Sequence, residues 1–175
     1  MKYLDLVKLI ITLSLVCGIS AHASQKPTDT DLPDLKNYQV NTPQMISAGL
    51  PTEAHFRTFK SMGVTHVIDL IPGDRSEESQ LMEALQLSYS NIAVEWQNPT
   101  LKNFRDYVAA MQQSSSSQGI TLTHCRLNWR GAVFTYLYRV TQLNEQEELA
   151  RKDMLAIWEP NDTWQAFIDQ VLVVY

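Results

Sequence analysis

The sequence predicts an α/β domain with a mostly parallel central sheet flanked by helices, and three observations point there. Short apolar runs alternate with helical periodicities through most of the chain, the pattern that crossover connections between parallel strands produce. The segment 132–143 is apolar nearly all round, which marks a helix buried in the middle of a domain rather than one lying on its surface. With 45% apolar content in 175 residues, the chain can bury one sizeable core and little more than one domain. That domain is expected over residues 40–175.

Two segments precede it. Residues 1–23 carry Lys2 and Lys8, a mostly apolar run over 9–19, and then Ala21-His22-Ala23, the small-x-small pattern of signal-peptide cleavage. The expected mature chain begins near Ser24, and the protein is expected to be exported, in a bacterium to the periplasm. The apolar run is about half the roughly 20 residues that a membrane-spanning helix needs, so no stable membrane insertion is expected after cleavage. Cys17 follows Val16, where a lipid-attachment site wants a small side chain. Residues 24–39 are polar, with Pro27 and Pro33 among Asp29, Asp31 and Asp34. They read as a linker, because such a stretch buries too little apolar surface to fold alone.

Within the domain, residues 46–51 read as a short strand and turn. Thr52 then caps a helix that carries Phe56, Phe59 and Met62 on one face and stops at Gly63. Residues 64–71 read as a buried strand closed by Pro72-Gly73, 77–86 as a helix and 89–96 as a strand. Pro99 and Thr100 open a helix in which Phe104, Tyr107, Val108 and Met111 recur at i, i+3, i+4 and i+7. The serine run 114–117 ends it. Residues 120–123 form a short strand that feeds the buried helix. Ala150, Met154, Ile157 and Trp158 line the next helix, Pro160 breaks it, and Trp164, Phe167, Ile168, Val171 and Leu172 line the last. These stripes read as core, and the chain has no internal repeats.

Charge and cysteine content narrow the function. Without residues 1–23, the 14 Lys and Arg fall to 12 and the 19 Asp and Glu to 18, a net charge of −6. Such a surface lacks the basic face that drives counterion release, so nucleic-acid binding is not expected. His55, His66, His124 and the one cysteine of the mature chain show no metal-ligand spacing. Nothing resembles a nucleotide-binding glycine loop, and no cofactor is expected. The oligomeric state is not legible. A lone thiol in an oxidising compartment has two readings, a small buried hydrophobe or a reactive group.

The surroundings of Cys125 favour reactivity. In open α/β sheets ligands sit beyond the carboxyl ends of the strands, and those ends fall near 69–74, 94–97 and 123–125. A strand that ends at Cys125 and turns directly into a buried helix sets the sulfur at a helix N-terminus. There, unpaired N–H groups and the macrodipole favour an anion, whether thiolate or phosphate. Arg130, five residues on, can grip two phosphate oxygens with its planar fork. His124 can hold the loop's shape through a hydrogen bond.

The segment His124-Cys125-Arg126-Leu127-Asn128-Trp129-Arg130-Gly131 resembles the signature loop of the protein-tyrosine and dual-specificity phosphatase superfamily. It is most similar to the bacterial phosphatase-like domain also found in beta-lactamase-hydrolase-like proteins. Ile46-Ser47-Ala48-Gly49-Leu50-Pro51-Thr52 is similar to that domain's opening strand, Gly63-Val64 through Val67-Ile68-Asp69-Leu70 to its second, and the stretch from Phe134 to Val140 to its buried helix. The resemblance spans about residues 44–143 and implies a dual-specificity-phosphatase-like fold. It also implies a reaction: Cys125 attacks phosphorus to give a phosphocysteine, Arg130 and the loop amides stabilise the equatorial oxygens, and water releases phosphate. The resemblance further implies a carboxylic acid from an upstream loop that protonates the leaving oxygen. Glu95 is the expected acid, with Asp69 and Asp74 as alternatives; Asp106 sits inside a helix. The expected substrate is a phosphorylated small molecule or protein.

The loop departs from the superfamily pattern in three ways. Arg130 gives Cys-x4-Arg rather than Cys-x5-Arg, a spacing familiar in the bacterial subgroup but also in rhodaneses, where a cysteine carries a persulfide. Asn128 stands where a mid-loop glycine is usual, and asparagine tolerates positive φ better than most residues. Gly131 stands where a hydroxyl residue usually helps the sulfur leave in the second step. Two rival readings therefore stay open: a rhodanese-like sulfurtransferase, and a catalytically weak module that binds a phosphate or other anion through the same loop.

Overall fold

The computed structural model describes residues 32–115 and 119–175. The expected signal peptide, and residues 24–31 of the expected linker, lie outside them. Two strands open the fold, β1 (Gln39–Thr42) and β2 (Met45–Ala48), followed by α1 (Glu53–Ser61), β3 (Val64–Asp69), α2 (Ser76–Ala84) and β4 (Ser88–Asn91). The chain continues with α3 (Leu101–Ser115), β5 (Ile120–His124), α4 (Trp129–Thr141), α5 (Glu147–Ile157) and α6 (Asp162–Val174). The five strands lie in the order β1-β2-β5-β3-β4. Three neighbouring pairs are parallel, and β1 pairs with β2 antiparallel.

The sheet is thus α/β as expected, but mixed. β1 was not predicted, because Gln39-Val40-Asn41-Thr42 has only one apolar residue and its pairing is interrupted by a bulge between Val40 and Thr42. As an edge strand it needs little apolar patterning.

Strand alternation sends side chains to two cores. Met45 and Ile68 face the larger one, with Phe104, Tyr107, Phe134, Trp164 and other residues of α3, α4, α5 and α6. Ile46, Val67 and Leu122 face the smaller one beneath α1 and α2. Residues 32–38, read from sequence as part of the linker, close that smaller core: Leu32 is buried there and Leu35 and Tyr38 pack against it. The His55 ring, which also completes the capping box of α1 with Thr52, bonds Pro33 O at 2.7 Å. The polar composition of the stretch concealed its few apolar anchors.

Register sets the stage for the site. Ala48 and Asp69 both pair with His124, and Asp69 pairs with Asn91, so the carboxyl ends of four strands finish level. β4 is shorter than the expected strand 89–96. Its partner β3 ends at Asp69, and beyond it the Asn91 amide donates to Asp69 O and Ile71 O while the chain leaves the sheet. Glu95 therefore lies in a loop rather than at a strand end. Among the described residues, no helix is long and apolar enough to cross a membrane.

Candidate active site

Cys125 follows β5 directly, and its N–H donates to Ala48 O at 3.3 Å. The chain then makes one tight turn. Leu50 N–H donates to Arg126 O, and Leu127 forms a bridge with Gly49, which ties the turn to the end of β2. Asn128 adopts the left-handed conformation, φ 62°, that lets the chain enter α4, and asparagine bears that conformation at low cost. The first α4 bond within this turn is Ala132 N–H to Asn128 O at 2.8 Å. The N–H groups of Trp129, Arg130 and Gly131 are therefore the unpaired donors that a helix N-terminus presents.

The Asn128 side chain is wholly buried. Its Nδ2 donates to Asn37 O at 2.7 Å and Ser47 Oγ at 3.0 Å, while Asn37 Nδ2 donates to Leu127 O at 2.8 Å. The loop is thus buttressed from behind by Asn37 of the expected linker and Ser47 of β2. Asn128 Oδ1 has no hydrogen-bond partner. It occupies the space beside Gly131, so that a Cβ at position 131 would fall well inside contact distance of it. Two of the three departures from the superfamily loop are coupled: the Asn128 carboxamide fills the room that a side chain at position 131 would need.

Cys125, Arg126, Leu127, Trp129 and Arg130, together with Trp96, line a cavity of about 290 Å³. Cys125 is 1% exposed and is a free thiol. Arg130 Nε donates to Val94 O at 2.9 Å, and its guanidinium lies over the Trp96 ring at 5.3 Å from the centroid. Both partners flank Glu95, so Arg130 holds the Glu95 loop against the cysteine turn. Glu95 itself is exposed and does not line the cavity.

His124 is fully buried; its Nε2 bonds Glu78 Oε1 of α2 at 2.8 Å and lies 3.9 Å from Asp69 Oδ1, and its Nδ1 has no hydrogen-bond partner. Asp69 also accepts from Ile71 N, Tyr89 OH and Arg75, and Arg75 bridges to Glu78. Burial disfavours charge on Arg75, but the hydrogen bond and charge of Asp69 and the charge of Glu78 outweigh it and raise its pKa. Burial, reinforced by the charges of Asp69 and Glu78, raises the Tyr89 phenol above its ordinary value. Asp69, Glu78 and His124 could in principle converge on a cation, and the Arg75 guanidinium is the cation that bonds both carboxylates. Glu78 gave no sequence signal, since nothing in its spacing ties α2 to His124.

The alternative acids fare poorly. Asp69 has its carboxylate occupied by these donors. Asp74 accepts Ser76 N–H at the start of α2, and that bond holds its carboxyl below its ordinary value, so it is a poor proton donor. Asp106 pairs with Lys102 on α3. Asn128 and Gly131 support the loop rather than lining its cavity. The sequence also gave no sign that all four tryptophans of the chain gather at this wall. Trp96 lies within 5.7 Å of Trp129, 5.3 Å of Trp158 and 5.2 Å of Trp164, measured between ring centroids.

No family model matches the chain, and no curated protein does. Solved structures do match. A DUF442 phosphatase-like protein from Shewanella putrefaciens is 30% identical, with a TM-score of 0.73 over 85% of this chain and 99% of its own. P. aeruginosa TpbA is 15% identical, with a TM-score of 0.64 over 79% of this chain and 90% of its own. The core catalytic domain of the S. cerevisiae PP-IP phosphatase SIW14 is 14% identical, with a TM-score of 0.65 over 78% of this chain and 85% of its own. The last two share the fold. Identity at the level of the Shewanella protein, over nearly its whole length, carries more: the chain belongs to the DUF442 family of phosphatase-like proteins, on the cysteine-based tyrosine and dual-specificity phosphatase fold.

Proposed function

We propose that the chain is an exported, cysteine-dependent phosphatase acting on a phosphomonoester of a small molecule or a protein. The observation that carries this reading is that Cys125 and Arg130 line one cavity at the N-terminus of α4. The Cys125 thiolate forms the S–P bond as the ester P–O bond breaks, and Glu95, carried on the loop held by Arg130, supplies a proton to the departing oxygen. Water then forms a new P–O bond as the S–P bond breaks, its proton passes to the Glu95 carboxylate, and the thiolate and the acid are both regenerated. Arg130 Nε is engaged by Val94 O, so the two terminal guanidinium nitrogens are the ones offered to phosphate oxygens. The Shewanella relative supports the phosphatase class. Hydrolysis of a small aryl phosphate by the purified chain tests the reading, with Cys125→Ser as control. Turnover that Cys125→Ser abolishes is expected. Phosphate binding without turnover would favour the anion-binding module, and transfer of sulfur from thiosulfate to cyanide would favour the sulfurtransferase.

A further inference from the structure

An anion-binding turn must keep its carbonyl oxygens pointed away from the anion, since only the N–H side attracts negative charge. Three carbonyls lie between Cys125 and the start of α4. Arg126 O accepts from Leu50 N–H at 3.2 Å, and Asn128 O accepts from Ala132 N–H at 2.8 Å. Both donors are backbone groups that the fold brings into place. Leu127 O is held differently, by a side chain: Asn37 Nδ2 donates to it at 2.8 Å from 90 positions upstream.

Asn37 is shaped for this bond. Its φ of 50° is left-handed, a conformation that asparagine bears at low cost, and its carbonyl accepts from Asn128 Nδ2 at 2.7 Å, so the contact is a pair of bonds. The preceding residue is anchored as well. Lys36 O accepts from Gly49 N–H at 2.7 Å, and a Cβ at position 49 would come within 2.9 Å of Lys36. Asn37 itself is exposed, so it buries little, and it does not line the cavity. It holds the turn from outside.

The peptide between Leu127 and Asn128 can rotate as a unit, and its rotation changes the φ of Asn128, which stands at 62°. Rotation would relieve that left-handed conformation and swing Leu127 O away from Asn37, toward the cavity that Leu127 lines. A carbonyl there would repel a phosphate. We propose that Asn37 is a positioning residue whose bond to Leu127 O keeps the turn in the conformation that accepts an anion. The proposal rests on the reading of the turn as a phosphate site, but its test requires no turnover. Inorganic phosphate is titrated into the full chain and two variants by calorimetry. Asn37→Gly keeps the positive φ and the carbonyl but loses the donor, and Asn37→Asp keeps the shape but presents an oxygen to Leu127 O. Each should bind phosphate about threefold to tenfold more weakly, because one lost hydrogen bond lowers the competent fraction by about that factor. In the NMR spectrum of Asn37→Gly the Leu127 carbonyl and Asn128 amide resonances should move, and saturating phosphate should return them toward those of the phosphate-bound unmodified chain. A merely structural bond would lower the melting temperature and leave the affinity of the folded protein intact. Affinity within about twofold of the unmodified chain in both variants, or resonances that saturating phosphate leaves displaced, would overturn the proposal. Weakened binding in the variants of a chain that hydrolyses no aryl phosphate would uphold it and remove the phosphatase reading alone. Absence of phosphate binding to the unmodified chain would remove both.

Discussion

Replacing Gly131 with serine would restore the hydroxyl of the superfamily loop, and by helix propensity alone it would stabilise α4 by about 0.5 kcal/mol. The structure reverses that sign. A Cβ at position 131 collides with Asn128 Oδ1, and the carboxamide can leave only by breaking its bonds to Asn37 O and Ser47 Oγ. Two such bonds contribute about 1 kcal/mol each, and overpacking adds about 1–3 kcal/mol. The net expectation is a loss of about 2.5–4.5 kcal/mol, or roughly 5–18 °C in Tm for a domain of this size. Pairing the change with Asn128→Gly removes the collision and suits the positive φ, so the double variant should recover at least about 1 kcal/mol of the loss. Thermal and urea unfolding of the single and double variants measure this. A Gly131→Ser protein as stable as the unmodified chain, or a double variant no better than the single one, would refute the coupling. In a working phosphatase the double variant should also speed the step in which the sulfur leaves.

Glu95→Gln should slow hydrolysis of alkyl phosphates by about 10²–10⁴-fold and leave nitrophenyl phosphate nearly untouched, because a poor leaving group needs the proton and a good one does not. Steady-state rates on the two substrates decide it; equal losses would remove Glu95 from the role of acid. The hydrogen bond from buried Arg139 lowers the Glu145 pKa. That contribution to stability is present above the unfolded carboxylate range near about 4.3 and is lost as pH falls through the lower folded value. Glu145→Gln should therefore be less stable than the unmodified chain in urea at neutral pH, with the difference shrinking in acid.

Local signals in the sequence were strong wherever a residue's structural role depends on its neighbours in the chain. Thr52 caps α1, Gly63 follows its end, and the period of Phe104, Tyr107, Val108 and Met111 marks α3, because caps and stripes are properties of adjacent turns. The loop between β5 and α4 was legible for the same reason, with Cys125 and Arg130 five positions apart. Roles that depend on tertiary approach were not. The bond between His124 Nε2 and Glu78, a residue of α2, is one of them. Trp158 and Trp164 read as core stripes, and only the fold shows that their contacts reach Trp96 and Trp129 at the cavity. The end of β4 was misplaced because Val94 and Trp96 continue an alternating pattern after pairing stops. Residues 32–38 looked solvated because three apolar anchors, Leu32, Leu35 and Tyr38, spaced among Pro33, Asp34, Lys36 and Asn37, do not register in composition.

The central claim is that phosphoryl transfer passes through the Cys125 sulfur, and rapid acid quench during hydrolysis of an aryl phosphate, followed by peptide mapping by mass, tests it most directly. One phosphoryl group is expected on the peptide containing Cys125, formed before free phosphate accumulates and absent in Cys125→Ser. Phosphate release with no phosphorylated Cys125 at any quench time, or hydrolysis that survives Cys125→Ser, would contradict it.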